Sequence, residues 1–176
     1  IIILLSRRPP LIAHPRMGQD GRPIWVLKLR TMWDSSPPPF RFHALVERLQ
    51  PECLSPIPIK TRDDPRVTSR FAALCRQYSI DELPQLWHVL QGDLAFIGPR
   101  PLTANELKAY YGGTVEELLT VKPGLSGLWQ IRGRSRLSYR ERRRFDLFMI
   151  RKWSLPLYFR ILMATLSTVL SGKNSW

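Results

Sequence analysis

The sequence predicts an α+β fold, a single compact domain of short strands and helices with amphipathic helices of the kind that lie on a membrane surface. Three observations predict it. Two extended runs flank an Asp-Gly at 20–21, the pattern of a β-hairpin. Later segments switch to helical spacing with strong start signals, Ser138-Tyr139-Arg140-Glu141 above all. The length, 176 residues with 44% hydrophobic, is enough for one core and argues against disorder.

The elements follow in order. Ile1–Leu5 is apolar and is ended by Ser6-Arg7-Arg8-Pro9-Pro10. With no charged leader it does not read as a signal peptide, and it reads as the tail of a longer apolar segment cut off upstream or as a late gene start. Leu11–Met17 and Pro23–Met32 are the two hairpin arms. Period-2 alternation in the second puts Ile24, Val26, Lys28 and Arg30 on one face. Residues 33–60 form a Pro-rich insertion, with a short helix fitting at Arg41–Leu49. A charged loop, Thr61–Arg70, enters a helix at about Ser69–Gln77.

Ser79 to Gly92 reads as one helix, with Pro84 in its first turn and Gly92 past its end. Asp93–Ile97 is a short buried strand ending in Gly98-Pro99-Arg100-Pro101. Helices are expected at Thr103–Tyr111 and Thr114–Leu119, a turn at Lys122-Pro123-Gly124, and another strand at Leu128–Ile131. Ser138 opens a basic helix through Ile150, and Leu155–Leu170 is an apolar helix too short to span a bilayer comfortably.

Charge narrows the function. The formal net charge is +13, from 27 basic and 14 acidic residues, and 21 of the cations are Arg. Such a surface suits a polyanion, an anionic bilayer or a phosphorylated substrate, and Arg suits bidentate phosphate recognition. Two cysteines, Cys53 and Cys75, exclude a disulfide scaffold and a four-thiolate site. His14, His43 and His88 share no metal-ligand spacing.

Several groups are candidates for chemistry. Asp81 and Glu82 are adjacent carboxylates at a helix start, where free N–H groups keep a carboxylate ionised. Capping explains the pair as well: Ser79 with Glu82 makes a capping box, or Asp81 is itself the N-cap. Lys28 and Arg30, on one strand face, form a clamp for a diphosphate or a half-solvated edge. In Gly98-Pro99-Arg100-Pro101 two prolines fix the direction of one Arg, whether for a ligand or in a plain turn. Asp63, Asp64 and Asp146 are each able to complete a magnesium site with Glu82, or to pair with Arg62, Arg66 or Arg144. From Arg132 to Lys152 cations alternate with Phe145, Leu147, Phe148 and Ile150, a membrane-surface pattern, a nucleic-acid surface or a solvated face.

Together these stretches resemble the bacterial sugar transferase family, the monotopic phosphoglycosyl transferases acting on polyprenyl phosphate. The resemblance runs from about Gly18 to Leu170. It is carried by Lys28-Leu29-Arg30-Thr31-Met32, Asp64-Pro65-Arg66-Val67-Thr68, and Ser79-Ile80-Asp81-Glu82-Leu83-Pro84-Gln85-Leu86. Gly92-Asp93-Leu94-Ala95-Phe96-Ile97-Gly98-Pro99-Arg100-Pro101, Lys122-Pro123-Gly124-Leu125-Ser126-Gly127-Leu128-Trp129-Gln130 and Gly133-Arg134 continue it.

The resemblance implies transfer of a sugar 1-phosphate from a UDP-sugar to undecaprenyl phosphate, with release of UMP, as the first step of exopolysaccharide, capsule or glycoconjugate synthesis. It implies Asp81 as the nucleophile of a covalent phosphosugar intermediate and Glu82, assisted by Asp146, as the holder of Mg²⁺. Lys28, Arg76, Arg100 and Arg134, with Pro99 and Pro101 around Arg100, are the implied phosphate-binding residues. Residues 1–17 are then a truncated membrane-proximal segment and 18–176 the catalytic domain.

Expected partners are a nucleotide-sugar donor, the polyprenyl phosphate acceptor and the membrane surface; no nucleic acid is expected, and a homo-oligomer is compatible. The expected location is the cytoplasmic face of the bacterial inner membrane. The family's N-terminal re-entrant helix is missing or reduced to Ile1–Leu5, Ala95 stands for a frequent Ser, His88 for an Asn and Tyr158 for an Asp. The competing reading is a catalytically inactive basic module that binds membrane or nucleic acid.

Overall fold

A computed structural model describes residues 1–33, 44–49, 66–133 and 137–172. The expected hairpin forms: β1 (Leu11–Met17) pairs antiparallel with β2 (Pro23–Leu29), His14 opposite Val26 and Ile12 opposite Lys28. Its turn requires positive φ at both central positions, and Asp20 (56°) and Gly21 (73°) supply it. Gly18 N–H donates to Arg22 O at 2.7 Å and closes the loop.

The other edge of β1 corrects the expected helix at Arg41–Leu49. Within its described part, Val46–Arg48 is a strand, β3, parallel to β1. The reason is non-local: Leu11 N–H donates to Leu45 O and Leu49 N–H to Ala13 O, so this segment satisfies the open side of β1. The sheet order is β2-β1-β3.

After a short helix α1 (Ile2–Ser6) and this sheet, the chain is mainly helical. α2 (Arg70–Gln77) begins at Ser69, whose side chain accepts from Ala72 N–H as an N-cap. The single helix expected over 79–92 is divided into a 3-10 turn, Ile80–Gln85, and α3 (Leu86–Gln91). Pro84 has no N–H for an α-helical ladder, so the tighter turn carries it. Gly92 ends α3 with φ 85°, as expected.

β4 (Ala95–Ile97) pairs in parallel with β5 (Gly124–Ser126), and α4 (Ala104–Tyr110) and α5 (Val115–Leu119) lie between them in the chain. β4 is less buried than expected, with Phe96 exposed and Ile97 alone in the core. The strand expected at Leu128–Ile131 lies instead at Gly124–Ser126, and Leu128–Arg132 is a helix, α6. Backbone proximity decides the register. A Cβ on Gly98 would stand 2.6 Å from Lys122 O, and one on Gly124 would collide with Gly98 N, so only glycines let these two strands meet.

α7 (Tyr139–Arg151) starts with the expected capping box, Ser138 Oγ accepting from Glu141 N–H while Ser138 N–H donates to Glu141 Oε2. α8 (Leu155–Ser171) is capped by Ser154. One core cluster, Ile97, Leu128, Met149 and Ile161, fastens the end of β4 to α6, α7 and α8. A second, Leu102, Leu107, Tyr111 and Leu118, packs with Met17 and Ile150. No helix among the described residues is long and apolar enough to cross a membrane.

Candidate active site

The acidic pair is reached through a strained residue. Ser79 follows α2 with φ 54°, a left-handed conformation uncommon for a residue with a side chain. Asp81 and Glu82 then occupy the first turn of the 3-10 segment. The capping box considered for Ser79 and Glu82 does not form, because the Ser79 side chain makes no cap bond. Asp81 lies beside Cys75, whose thiol is pushed up first by burial and then by this carboxylate.

Glu82 crosses to the hairpin instead. Lys28 Nζ donates to Glu82 Oε1 at 2.7 Å, both side chains partly open to solvent. A second tie runs parallel to it. β2 is an edge strand, and its Leu27 N–H donates to Nε2 of the buried His88 at 3.3 Å. With Nε2 accepting, the neutral ring carries its proton on Nδ1. That atom stands 3.5 Å from Asp93 Oδ2, too long for a hydrogen bond. His88 therefore holds the acidic segment against the strand that presents Lys28.

Arg100 is placed by the two cores. Its run joins Ile97 in one cluster to Leu102 in the other, and of residues 98–102 only Arg100 is not buried. An open cleft collects Lys28, Arg100 and Pro101 with His14 and Arg16 of β1 and the buried Gln85 of the 3-10 turn. Its electrostatics are one-sided. Burial, then the nearby Arg16, Lys28, Arg100 and Arg30, lower the His14 imidazole to about 4. Burial and Arg100 also pull the Arg16 guanidinium below its usual value, against the opposing effect of Glu106. Cations gathered at such a cost make a site for an anion.

Arg30 does not join the cleft lining. Its guanidinium donates to Glu47 Oε2 at 2.6 Å and to Pro9 O at 2.8 Å, so it fastens β2 to β3 and to the chain before β1. Pro99 lines a second hollow with Met17, Leu107 and Leu118, which Arg100 also borders. Arg76 stands in the last turn of α2, where its backbone O accepts from Ser79 N–H at 3.3 Å. Arg134, Asp63, Asp64, Arg62, Cys53 and His43 lie outside the described residues.

Asp146 is fully buried on α7, and its Oδ2 accepts from Tyr111 OH at 2.7 Å. Burial pushes its carboxyl up to about 7, against the opposing influence of Tyr111, Trp129, Arg100 and Arg142. The Trp129 indole is near enough to favour the charge but makes no full hydrogen bond, and Asp146 Oδ1 and Trp129 Nε1 are both buried without a partner. Among the described residues no group of three or more His, Cys, Asp or Glu side chains is arranged to hold a metal ion.

The structure thus brings together Lys28 with Glu82, and Lys28 with Arg100 and Pro101, while Asp146 sits in the core. Sequence reasoning missed His14, Arg16 and Gln85. The first two had a signal: His14 and Arg16 alternate on β1 and fall opposite Val26 and Ile24, on the face that carries Lys28.

The description "Bacterial sugar transferase" belongs to the family model that matches residues 1–172. A "UDP-galactose-lipid carrier transferase" of Erwinia amylovora is 38% identical to the chain over its full length, but the match covers 37% of that protein. The "Undecaprenyl-phosphate galactose phosphotransferase" of Salmonella typhimurium is 34% identical, over 96% of this chain and 35% of its own. The "Exopolysaccharide production protein ExoY" of Rhizobium meliloti is 36% identical, over 93% of this chain and 71% of its own. The chain spans little more than a third of the first two of these relatives.

Proposed function

The chain belongs to the bacterial sugar transferase family, and on that premise we propose that it moves a sugar 1-phosphate from a UDP-sugar to undecaprenyl phosphate. One observation carries the reading: Lys28, which lines a cleft together with Arg100, is also bonded to Glu82 of the acidic pair at 2.7 Å. The names of relatives that act on UDP-galactose, a lipid carrier or undecaprenyl phosphate support the substrate class. The exopolysaccharide relative supports a role in exopolysaccharide production, and the first step is the place we propose.

In this mechanism an Asp81 carboxylate oxygen attacks the sugar-bearing phosphorus of the donor. The bond from that phosphorus to the bridging oxygen breaks, and UMP leaves with the electron pair. An oxygen of the polyprenyl phosphate then attacks the same phosphorus, frees the Asp81 carboxylate and yields the polyprenyl diphosphate sugar. Lys28 and Arg100 neutralise the diphosphate and the charge that develops on the leaving phosphate. Arg76 and Arg134 are proposed to assist from the flanks of the site.

Magnesium fits the acidic pair, since that ion takes one or two carboxylates together with phosphate oxygens and Glu82 is partly open to solvent. When bound it supplies charge neutralisation at the diphosphate. Glu82 would exchange its bond to Lys28 for the ion, which releases Lys28 toward the donor. Asp146 fits less well: it would have to give up Tyr111 and turn out of the core.

The acceptor needs a membrane surface. On α8 the exposed apolar residues Leu155, Phe159, Met163, Leu166 and Leu170 recur at helical spacing. Gly172, at the end of that helix, lies against Gln77 and Tyr78, just before the acidic turn. Leu83, Leu86, Trp87 and Leu90 are exposed on and after that turn. An apolar stripe whose helix ends against Gln77 and Tyr78 suits an acceptor whose phosphate sits at the interface while its chain stays in lipid. The cytoplasmic leaflet of the inner membrane is the proposed location.

The test is UMP release from a panel of UDP-sugars with undecaprenyl phosphate and Mg²⁺ in vesicles. Release with at least one sugar, dependent on acceptor, is expected. Tight vesicle binding with no release across the panel would favour the inactive basic module instead.

A further inference from the structure

The acidic pair, Lys28 and the arginines leave His14 and Gln85 of the cleft without a task, and His14 is the titratable one. His14 lines the cleft from β1, and its Nδ1 is buried with no hydrogen-bond partner. A buried imidazole nitrogen without a partner costs stability unless something completes it. Lys28 and Arg100 share the cleft, so the completing group is an anion with hydrogen-bonding oxygens.

We infer that His14 is a further anion-binding residue of the donor site, which hydrogen-bonds a phosphate oxygen through its buried Nδ1 and takes up a proton as the diphosphate enters. This rests on the phosphosugar-transfer reading and adds to it a ligand and a proton.

The surroundings explain the coupling. The charged groups that act on His14 are Arg16 on its own strand, Lys28 and Arg30 on and just after β2, and Arg100 from the run after β4. Glu47 of β3 is held by Arg30, Glu82 by Lys28, and Gln85 is neutral. With the cleft empty every one of the acting charges is positive, so the ring stays neutral. A diphosphate reverses the sign of the local field and makes the imidazolium the favoured form. His14 then supplies positive charge only when there is an anion to meet it, and the empty protein avoids one more buried like charge.

The experiment follows the His14 ring carbons by NMR in the full chain, with the resonance assigned by its loss in H14Q. Inorganic pyrophosphate is the probe. At about pH 6 the ring should be neutral without pyrophosphate and protonated at saturation. Wild-type affinity should rise on the order of tenfold more than that of H14Q between about pH 7.5 and 5.5, because one proton binds with the anion. H14Q keeps a hydrogen-bonding group, so it should lose this extra pH dependence while retaining most of the affinity at the alkaline end. H14A should lose both, and circular dichroism confirms that each variant is folded.

A ring that stays neutral at saturation, or an H14Q profile identical to wild type, overturns the inference. K28A and R100A separate the two levels. If they weaken pyrophosphate binding and neither His14 variant changes it, the anion site stands and the role of His14 falls. If none of the four variants alters binding, the anion lies elsewhere and both readings fall.

Discussion

The cleft and helix α7 use the same kind of basic residue, above all arginine, to opposite ends. On α7, Arg151 makes two bonds to Glu117, at 2.6 and 2.7 Å. Arg143 donates to Tyr110 O at 3.1 Å, and the Arg142 guanidinium lies 4.8 Å from the rings of both Trp129 and Tyr139. These cations meet acceptors and π-faces within the protein. In the cleft, burial first and then neighbouring cations lower the pKa of His14 and of Arg16, beside Lys28 and Arg100. A high count of arginine therefore does not locate function. Cations buried beside one another are a better pointer, because an anion offsets the cost of holding them there.

Breaking the chemistry itself should have the largest effect. D81N should lower turnover by about 10⁴-fold or more, measured as UMP release, because the proposed nucleophile is gone while its shape remains. Turnover within tenfold of wild type would remove Asp81 from that role.

A buried acid sharpens the comparison from the α7 side. Asp146 is raised to about 7 in the folded chain, above the ordinary carboxyl value of 3.8. The folded state therefore holds this proton where the unfolded state has lost it, and stability should fall as pH rises from about 4 to about 7, by about 4 kcal/mol. His14 works in the other direction: lowered from 6.5 to about 4, it should add stability as pH rises between those values. The two partly cancel in the wild type. Denaturant melts should show the falling leg lost in D146N and the rising leg lost in H14Q; the same pH profile in both variants would contradict the assignment.

The cations come next. K28A and R100A should each weaken donor binding by roughly 10- to 100-fold, the worth of a charge-assisted phosphate contact. R143A and R151A should leave it within about twofold, since exposed pairs contribute little. Equal losses in both groups would erase the distinction between cleft and helix. Smallest is H88A, expected to cost about 1–2 kcal/mol in chemical denaturation by leaving Leu27 N–H without its acceptor. It should also loosen the acidic segment from β2.

Local signals were legible before the fold was known. The alternation that put Lys28 on one face of β2, the capping box at Ser138, the Asp-Gly turn and the Gly92 stop are each decided within a few residues. The motif around Arg100 was legible too, though not that two separate cores would clamp it.

What sequence reasoning lost was long-range. Val46–Arg48 is a strand because β1 has an open edge some thirty residues earlier. Gly124–Ser126 is a strand because it can approach Gly98 closely, and Leu128–Arg132 then follows as a helix. Glu82 turns to Lys28 across 54 residues instead of capping its own segment. His14 and Arg16 carried the right alternation but belong to a strand whose partner's face had to be known first.

The most direct test of the central claim is intact-protein mass spectrometry after incubation with UDP-sugars and Mg²⁺ in the absence of polyprenyl phosphate. Wild type should gain the mass of one sugar phosphate and D81N none, and the adduct should discharge when the acceptor is added. UMP release with no adduct on the wild type, or the same adduct on D81N, would contradict that claim.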